Sequence, residues 1–136
     1  MTDIRLWVVI GIMAMVIVVL FIKLHSMHRA TKEITEAFAE RLRQVVDDYL
    51  KDPHLNVEFL GSKLQLSRTQ LFRRVKAVAG KGPLDYIRER RLVRADELLR
   101  TTDMTIQQVT LEVCFSSPSY FTKCYKEYFG HLPSTR

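Results

Sequence analysis

The sequence predicts an all-α chain: an N-terminal transmembrane helix and a juxtamembrane helix, then two helix-turn-helix subdomains joined by a long linker helix. Three observations predict it. Residues 6–22, LWVVIGIMAMVIVVLFI, carry no charge. Residues 25–51 contain neither Pro nor Gly and place apolar side chains at helical spacing. Beyond them, two stretches each pair a short amphipathic helix with a basic one across a tight turn.

The apolar run is bounded by Leu6 and Ile22. At ~1.5 Å per residue it covers about 26 Å. With Ile4 and Leu24 beside it, the run approaches the ~30 Å of a bilayer's hydrocarbon core. Residues 6–24 are therefore the expected span, behind a short extracytoplasmic tail of residues 1–5. Trp7 stands where an interfacial aromatic stands. A buried soluble helix of this length rarely lacks every polar residue. A cleaved signal peptide has a shorter apolar region and an A-x-A-like site, whereas this chain continues KLHSMHRA. An uncleaved anchor fits better. Arg5 before the span is offset by Asp3, while Lys23, Arg29 and Lys32 follow it, so the C-terminal side is expected in the cytoplasm. That makes the chain a single-pass protein of the inner membrane.

Residues 25–36 read as a helical linker to a domain over 37–136. Ile34, Phe38, Leu42, Val45, Val46, Tyr49 and Leu50 recur along this helix. Pro53 ends it by disfavouring helix at Asp52. Its later part either packs on the domain behind it or forms a dimerising stalk, although Arg41 and Arg43 interrupt a heptad seam.

The first helix-turn-helix is expected over 56–80. Asn56 is a good N-cap for VEFLGSKLQ, with Phe59, Leu60 and Leu64 inward. Ser67 caps SRTQLFRRVKAVAG, which turns Leu71, Val75 and Val78 inward and leaves Arg68, Thr69, Gln70, Arg73, Arg74 and Lys76 around the rest. Gly80 ends it. A linker helix follows over 83–101, roughly 27 Å long at ~1.5 Å per residue. The second unit is expected over 105–130. Thr105 caps TIQQVTLEV, with Ile106, Val109 and Val113 inward. Ser117-Pro118 opens SPSYFTKCYKEYF, where Pro is tolerated in the first turn. Phe121, Cys124, Tyr125 and Tyr128 are expected to pack, leaving Ser119, Thr122, Lys123 and Lys126 outside, and Gly130 closes the helix. Phe121, Tyr125 and Phe129 look like a base-stacking set, but their helical spacing marks them as core. A short helix, a tight turn and a basic helix is the arrangement that enters a major groove. With successive grooves ~34 Å apart, the linker lets one monomer address two of them, at an asymmetric site.

Charge supports a polyanionic partner. The chain has 21 Lys and Arg against 15 Asp and Glu, and the whole excess lies beyond residue 52. Double-stranded DNA and an anionic lipid surface both satisfy that excess. Arg on recognition helices, interleaved with Ser, Thr and Gln, points to DNA. Two cysteines without a CxxC spacing suggest a reduced compartment. HSMH at 25–28 lacks the further ligands that would complete a metal site, and no cofactor is expected. No catalytic motif of the GxSxG, HExxH or GxxxxGK[ST] type occurs, so an enzyme is not expected.

The segments SRTQLFRRVKAVAGKGPLDYIRERRLVRADELL and TIQQVTLEVCFSSPSYFTKCYKEYFG, with the final HLPSTR, resemble the DNA-binding domain of the bacterial AraC/XylS transcription regulators. A span just ahead of such a domain is similar to the C-terminal part of hybrid two-component sensor regulators. The resemblance implies that Thr69, Gln70 and Arg73 meet base edges in one groove, and Ser119, Thr122 and Lys123 in the next. It leaves Arg68, Arg74, Lys76, Ser117 and Lys126 to phosphates. Among the base-reading residues Arg73 is the strongest candidate, because Arg grips a guanine edge with two hydrogen bonds. The resemblance also implies RNA polymerase as a partner.

Arg91 lies in the stripe Ile87, Arg91, Ala95, Leu98 and is assigned to structure, through an ion pair or helix-end carbonyls. Gln65 and Cys114 stand where the family usually has Gly, so a left-handed turn there is strained. Thr110 stands where Ala is usual, and its hydroxyl must find a carbonyl. The leading expectation is a membrane-anchored, sequence-specific transcription regulator, signalled through a membrane sensor partner, a stalk dimer or regulated release. The alternatives are a membrane-tethered interaction module with a degenerate helix-turn-helix, and a C-terminal fragment of a larger sensor regulator.

Overall fold

The computed structural model describes residues 2–134, which form six helices and, among the described residues, no strand. Helix α1 runs Thr2–Asp48, α2 Val57–Leu64, α3 Arg68–Ala79, α4 Pro83–Thr101, α5 Ile106–Glu112 and α6 Pro118–Phe129. Two units are distinct: residues 1–38, and a compact unit of residues 39–136.

The expected span and juxtamembrane helices are one uninterrupted helix of 47 residues. No Pro interrupts it, and Gly11 in its apolar stretch does not break it. By length and composition that stretch suits a bilayer, with a mean hydropathy of 2.8. The helix stops at Asp48, where Tyr49 and Leu50 amides turn back to the Val46 and Asp47 carbonyls. Of the periodic apolar residues read along it, Ile34 stays 64% exposed while Leu42 and Val46 are fully buried. The later part of the helix therefore belongs to the compact unit.

Capping explains where the remaining helices begin. Asn56 Oδ1 accepts from the Phe59 amide at 2.8 Å. Ser67 and Gln70 form a reciprocal capping box, with the Ser67 amide donating to Gln70 Oε1 at 3.0 Å. Thr105 and Gln108 repeat it at the start of α5. Ser117 Oγ accepts from the Tyr120 amide at 3.2 Å. Pro83 and Pro118 occupy first turns, where no amide is needed. Gly80 and Gly130 close α3 and α6 with φ of 71° and 80°.

Within the compact unit the packing order is α2 on α3, α3 on α4, α4 on both α5 and α6, and α5 on α6. Helix α4 is thus shared by the two helix-turn-helix units. One buried cluster joins Leu92, Ala95, Leu98 and Leu99 of α4 to Val109, Val113, Phe115, Phe121, Cys124 and Tyr125. Phe121 and Tyr125 are core, as their spacing requires, with ring centroids 5.6 Å apart. Tyr128, expected to pack, is 45% exposed and meets Phe129 edge-on, because it sits on the rim of the buried stripe.

Candidate nucleic-acid interface

Each second helix presents one polar face because its opposite face is buried. In α3 the buried residues are Leu71 and Val75, which leaves Thr69, Arg73 and Lys76 on the outward side. In α6 the buried residues are Phe121, Cys124 and Tyr125, which leaves Ser119, Lys123 and Lys126 outward. Counted from the capping serines Ser67 and Ser117, the two triplets occupy the same positions. The face is therefore repeated: a hydroxyl near the N-terminus, a long cation one turn on, and a lysine near the end.

The other candidates lie around these triplets. Arg73 and Lys123 have no ion pair or hydrogen bond among the described residues. Gln70 flanks the first face, and its Oε1 is held by the Ser67 amide, so its Nε2 is the atom left to offer. Thr122 is half-buried at the edge of the second face. Ser117 is committed to its cap through its acceptor lone pair and keeps its hydroxyl proton to donate. Arg68 pairs with Glu58 at 2.6 Å and lies 5.5 Å from the Phe72 ring. Lys76 donates to the Gly80 carbonyl at 2.9 Å. Both the Arg68 and the Glu58 side chains are about two-thirds exposed, and such a pair yields easily to a phosphate. Arg74 is exposed on the flank of α3.

The turns carry the strain expected of them. Gln65 and Cys114 hold φ of 56° and 55°. The turn amides close back, Leu66 to the Gly61 carbonyl at 2.9 Å and Phe115 to the Thr110 carbonyl at 3.0 Å. A Cβ on Gly61 would lie 3.0 Å from the Leu66 carbonyl oxygen, which explains a glycine in the first unit. Thr110, in the corresponding place of the second, is fully buried, and its hydroxyl donates to the Ile106 carbonyl at 2.7 Å.

Arg91 has the structural role assigned to it. Its guanidinium donates to the Leu50 and Asp52 carbonyls at 3.3 and 3.0 Å, and burial pushes its pKa down. Sequence reasoning missed three features nearby. Arg90 makes a two-pronged pair with Asp47 at 2.8 and 2.7 Å, a bond that raises its pKa. Tyr125 donates to Asp96 at 2.6 Å; burial first, then that bond, push the phenol well above its ordinary value, so it stays a donor. Phe72 and Tyr120 are about 40% exposed on the flanks of the two second helices. None of the three leaves a mark on local spacing, unlike the S-x-x-Q and T-x-x-Q capping boxes of α3 and α5.

Known proteins are similar to this chain in sequence and in fold. The family described as "Helix-turn-helix domain" matches residues 60–135. The regulatory protein SoxS of Escherichia coli is 30% identical over 89 residues, 65% of this chain and 82% of that protein. A histidine kinase P4 of Formosa agariphila is 34% identical over 115 residues, 81% of this chain but 8% of the kinase. The crystal structure of the AdpA DNA-binding domain with a target DNA has a TM-score of 0.60 at 29% identity, covering 68% of this chain and 85% of that one. An AraC-type regulator structure from Chromobacterium violaceum has a TM-score of 0.62 at 29% identity, covering 71% and 89%. These relatives and neighbours are transcription regulators with DNA-binding domains, the kinase match apart. From residue 60 onward the chain belongs to the AraC-type helix-turn-helix family.

Proposed function

We propose that the chain is a membrane-anchored, sequence-specific transcription regulator that reads double-stranded DNA with α3 and α6 in successive major grooves. The observation that carries this reading is the repeated outward face, Thr69-Arg73-Lys76 and Ser119-Lys123-Lys126, on helices fixed to the same α4. Arg73 reads a base edge. Thr69, Gln70 through Nε2, Ser119, Thr122 and Lys123 complete the readout. Arg68, Arg74, Lys76, Ser117 and Lys126 hold phosphates, which fix register without reading sequence. The apolar stretch of α1 anchors the chain in the inner membrane, with the compact unit in the cytoplasm. RNA polymerase is the partner that a bound promoter supplies, and a membrane sensor or a stalk dimer supplies the signal.

Footprinting with the purified full chain tests the DNA reading. Two protected segments about one helical turn apart on one face, without two-fold symmetry, are expected. A solely symmetric footprint, or salt-dependent binding blind to sequence, overturns it and favours an interaction module. Alkaline extraction of membranes tests the anchor: the chain stays with the lipid, and its release contradicts the assignment.

One observation favours a second reading, a C-terminal piece of a larger sensor regulator. The match to the histidine kinase takes in 81% of this chain, more than residues 39–136 can supply, and so reaches into α1 ahead of them. An antibody to the compact unit distinguishes the two by the size of the native protein it detects.

A further inference from the structure

We infer that the segment 47–52, where α1 ends, positions the two recognition helices relative to each other and so sets the half-site spacing the chain accepts. The inference rests on the two-groove reading above. Five of these six residues touch, between them, all three parts of the domain. Toward the first helix-turn-helix, the Tyr49 ring meets Phe59 edge-on at 4.9 Å, with the Lys63 ammonium 4.7 Å from the Tyr49 centroid. Toward α4, Asp47 takes both prongs of Arg90, and the Leu50 and Asp52 carbonyls take Arg91. Toward the second unit, the Lys51 ammonium pairs with Glu112, and the Lys51 carbonyl accepts from Cys114 Sγ at 3.2 Å.

The consequence is geometric. Helix α4 is the packing element common to both units, and a single helix leaves each unit free to rock about it. A second connection, made by the same short segment to both units, removes that freedom. Arg90 and Asp47 are each only 27% exposed and doubly bonded, so this end of the connection is stiff. Lys51, Glu112, Asp47 and Arg90 are positioning residues; none of them lies on an outward face of α3 or α6.

The test uses the full chain in lipid nanodiscs. Lys51→Gln, Glu112→Gln and Asp47→Asn are compared on the footprinted site, on the same site with one base pair added or removed, and on each half-site alone. Wild type should lose about tenfold in affinity when the spacing changes, the size of one mismatch. The variants should lose several-fold on the natural spacing, discriminate little between spacings, and keep wild-type affinity for half-sites. An unchanged spacing preference overturns the inference, as does an equal loss on half-sites, the mark of general loosening. If Asp47→Asn unfolds the domain, the pair of exposed Lys51 and half-buried Glu112 decides the question. If wild type binds no sequence selectively, the two-groove reading fails. Spin-label distances between non-natural side chains at Ala77 and Glu127 then test the positioning alone. A narrow distribution that broadens in the variants supports it, and an unchanged one overturns it.

Discussion

Gln65 and Cys114 share a left-handed backbone and differ in what their side chains do. Gln65 is exposed, so Gln65→Gly removes strain of about 1–2 kcal/mol and loses nothing else. The added unfolded-state entropy opposes this by roughly 0.5–1 kcal/mol. A modest rise in the midpoint of thermal unfolding is the expected outcome. Cys114→Gly also sacrifices the bond to the Lys51 carbonyl, and calorimetry should show it gaining less or losing stability. On the DNA side, Arg73→Ala is expected to cost about 1–3 kcal/mol and to relax preference at one base pair. Lys123→Ala should change base preference less, which a binding selection over randomised sites reads directly. At this scale much was legible beforehand. The Arg91 and Thr110 assignments follow from putting a charge and a hydroxyl on apolar stripes, where each must find a carbonyl. The engagement of Gln70 and Ser117 in caps blurs their proposed roles toward a base edge and a phosphate, because one residue type serves both purposes. The Arg90–Asp47 pair was invisible, since partners 43 residues apart leave no mark on local spacing.

Elements were readable wherever local chemistry sets their ends. Asn56, Ser67, Thr105 and Ser117 start helices because a side-chain oxygen satisfies an orphan amide; Gly80 and Gly130 stop them because the next backbone conformation is left-handed. Gly80→Ala is therefore expected to lower stability by about 1 kcal/mol through strain alone, as nothing lies within 4 Å of an added Cβ. Gly61→Ala fails for a different reason, the approach to the Leu66 carbonyl. Denaturant titration should show both losses, and an additional Gln65→Gly exchange should offset that of Gly80→Ala. Helix α1 was less legible. Composition shifts at residue 25 suggested separate helices, yet nothing there interrupts hydrogen bonding, so the chain continues as one. Its apolar periodicity likewise begins before its burial does, because a repeat in sequence does not say where a partner surface starts.

At the scale of the whole molecule, an apolar helix is joined to a basic unit proposed to read DNA with two helices. All of the net charge of +6 lies beyond residue 52, so affinity for DNA should fall linearly with log salt. Lys126→Ala should lower that slope by about one while leaving base preference alone, as expected of a phosphate contact. The central claim is that this reader works on specific promoters while held at a membrane. It is met most directly by crosslinking the tagged full-length protein to DNA in cells, with Arg73→Ala beside it, and sequencing what is bound. Discrete peaks that weaken or vanish in the variant are the predicted result. No enrichment by either form, with the protein present in the membrane fraction, would contradict the account.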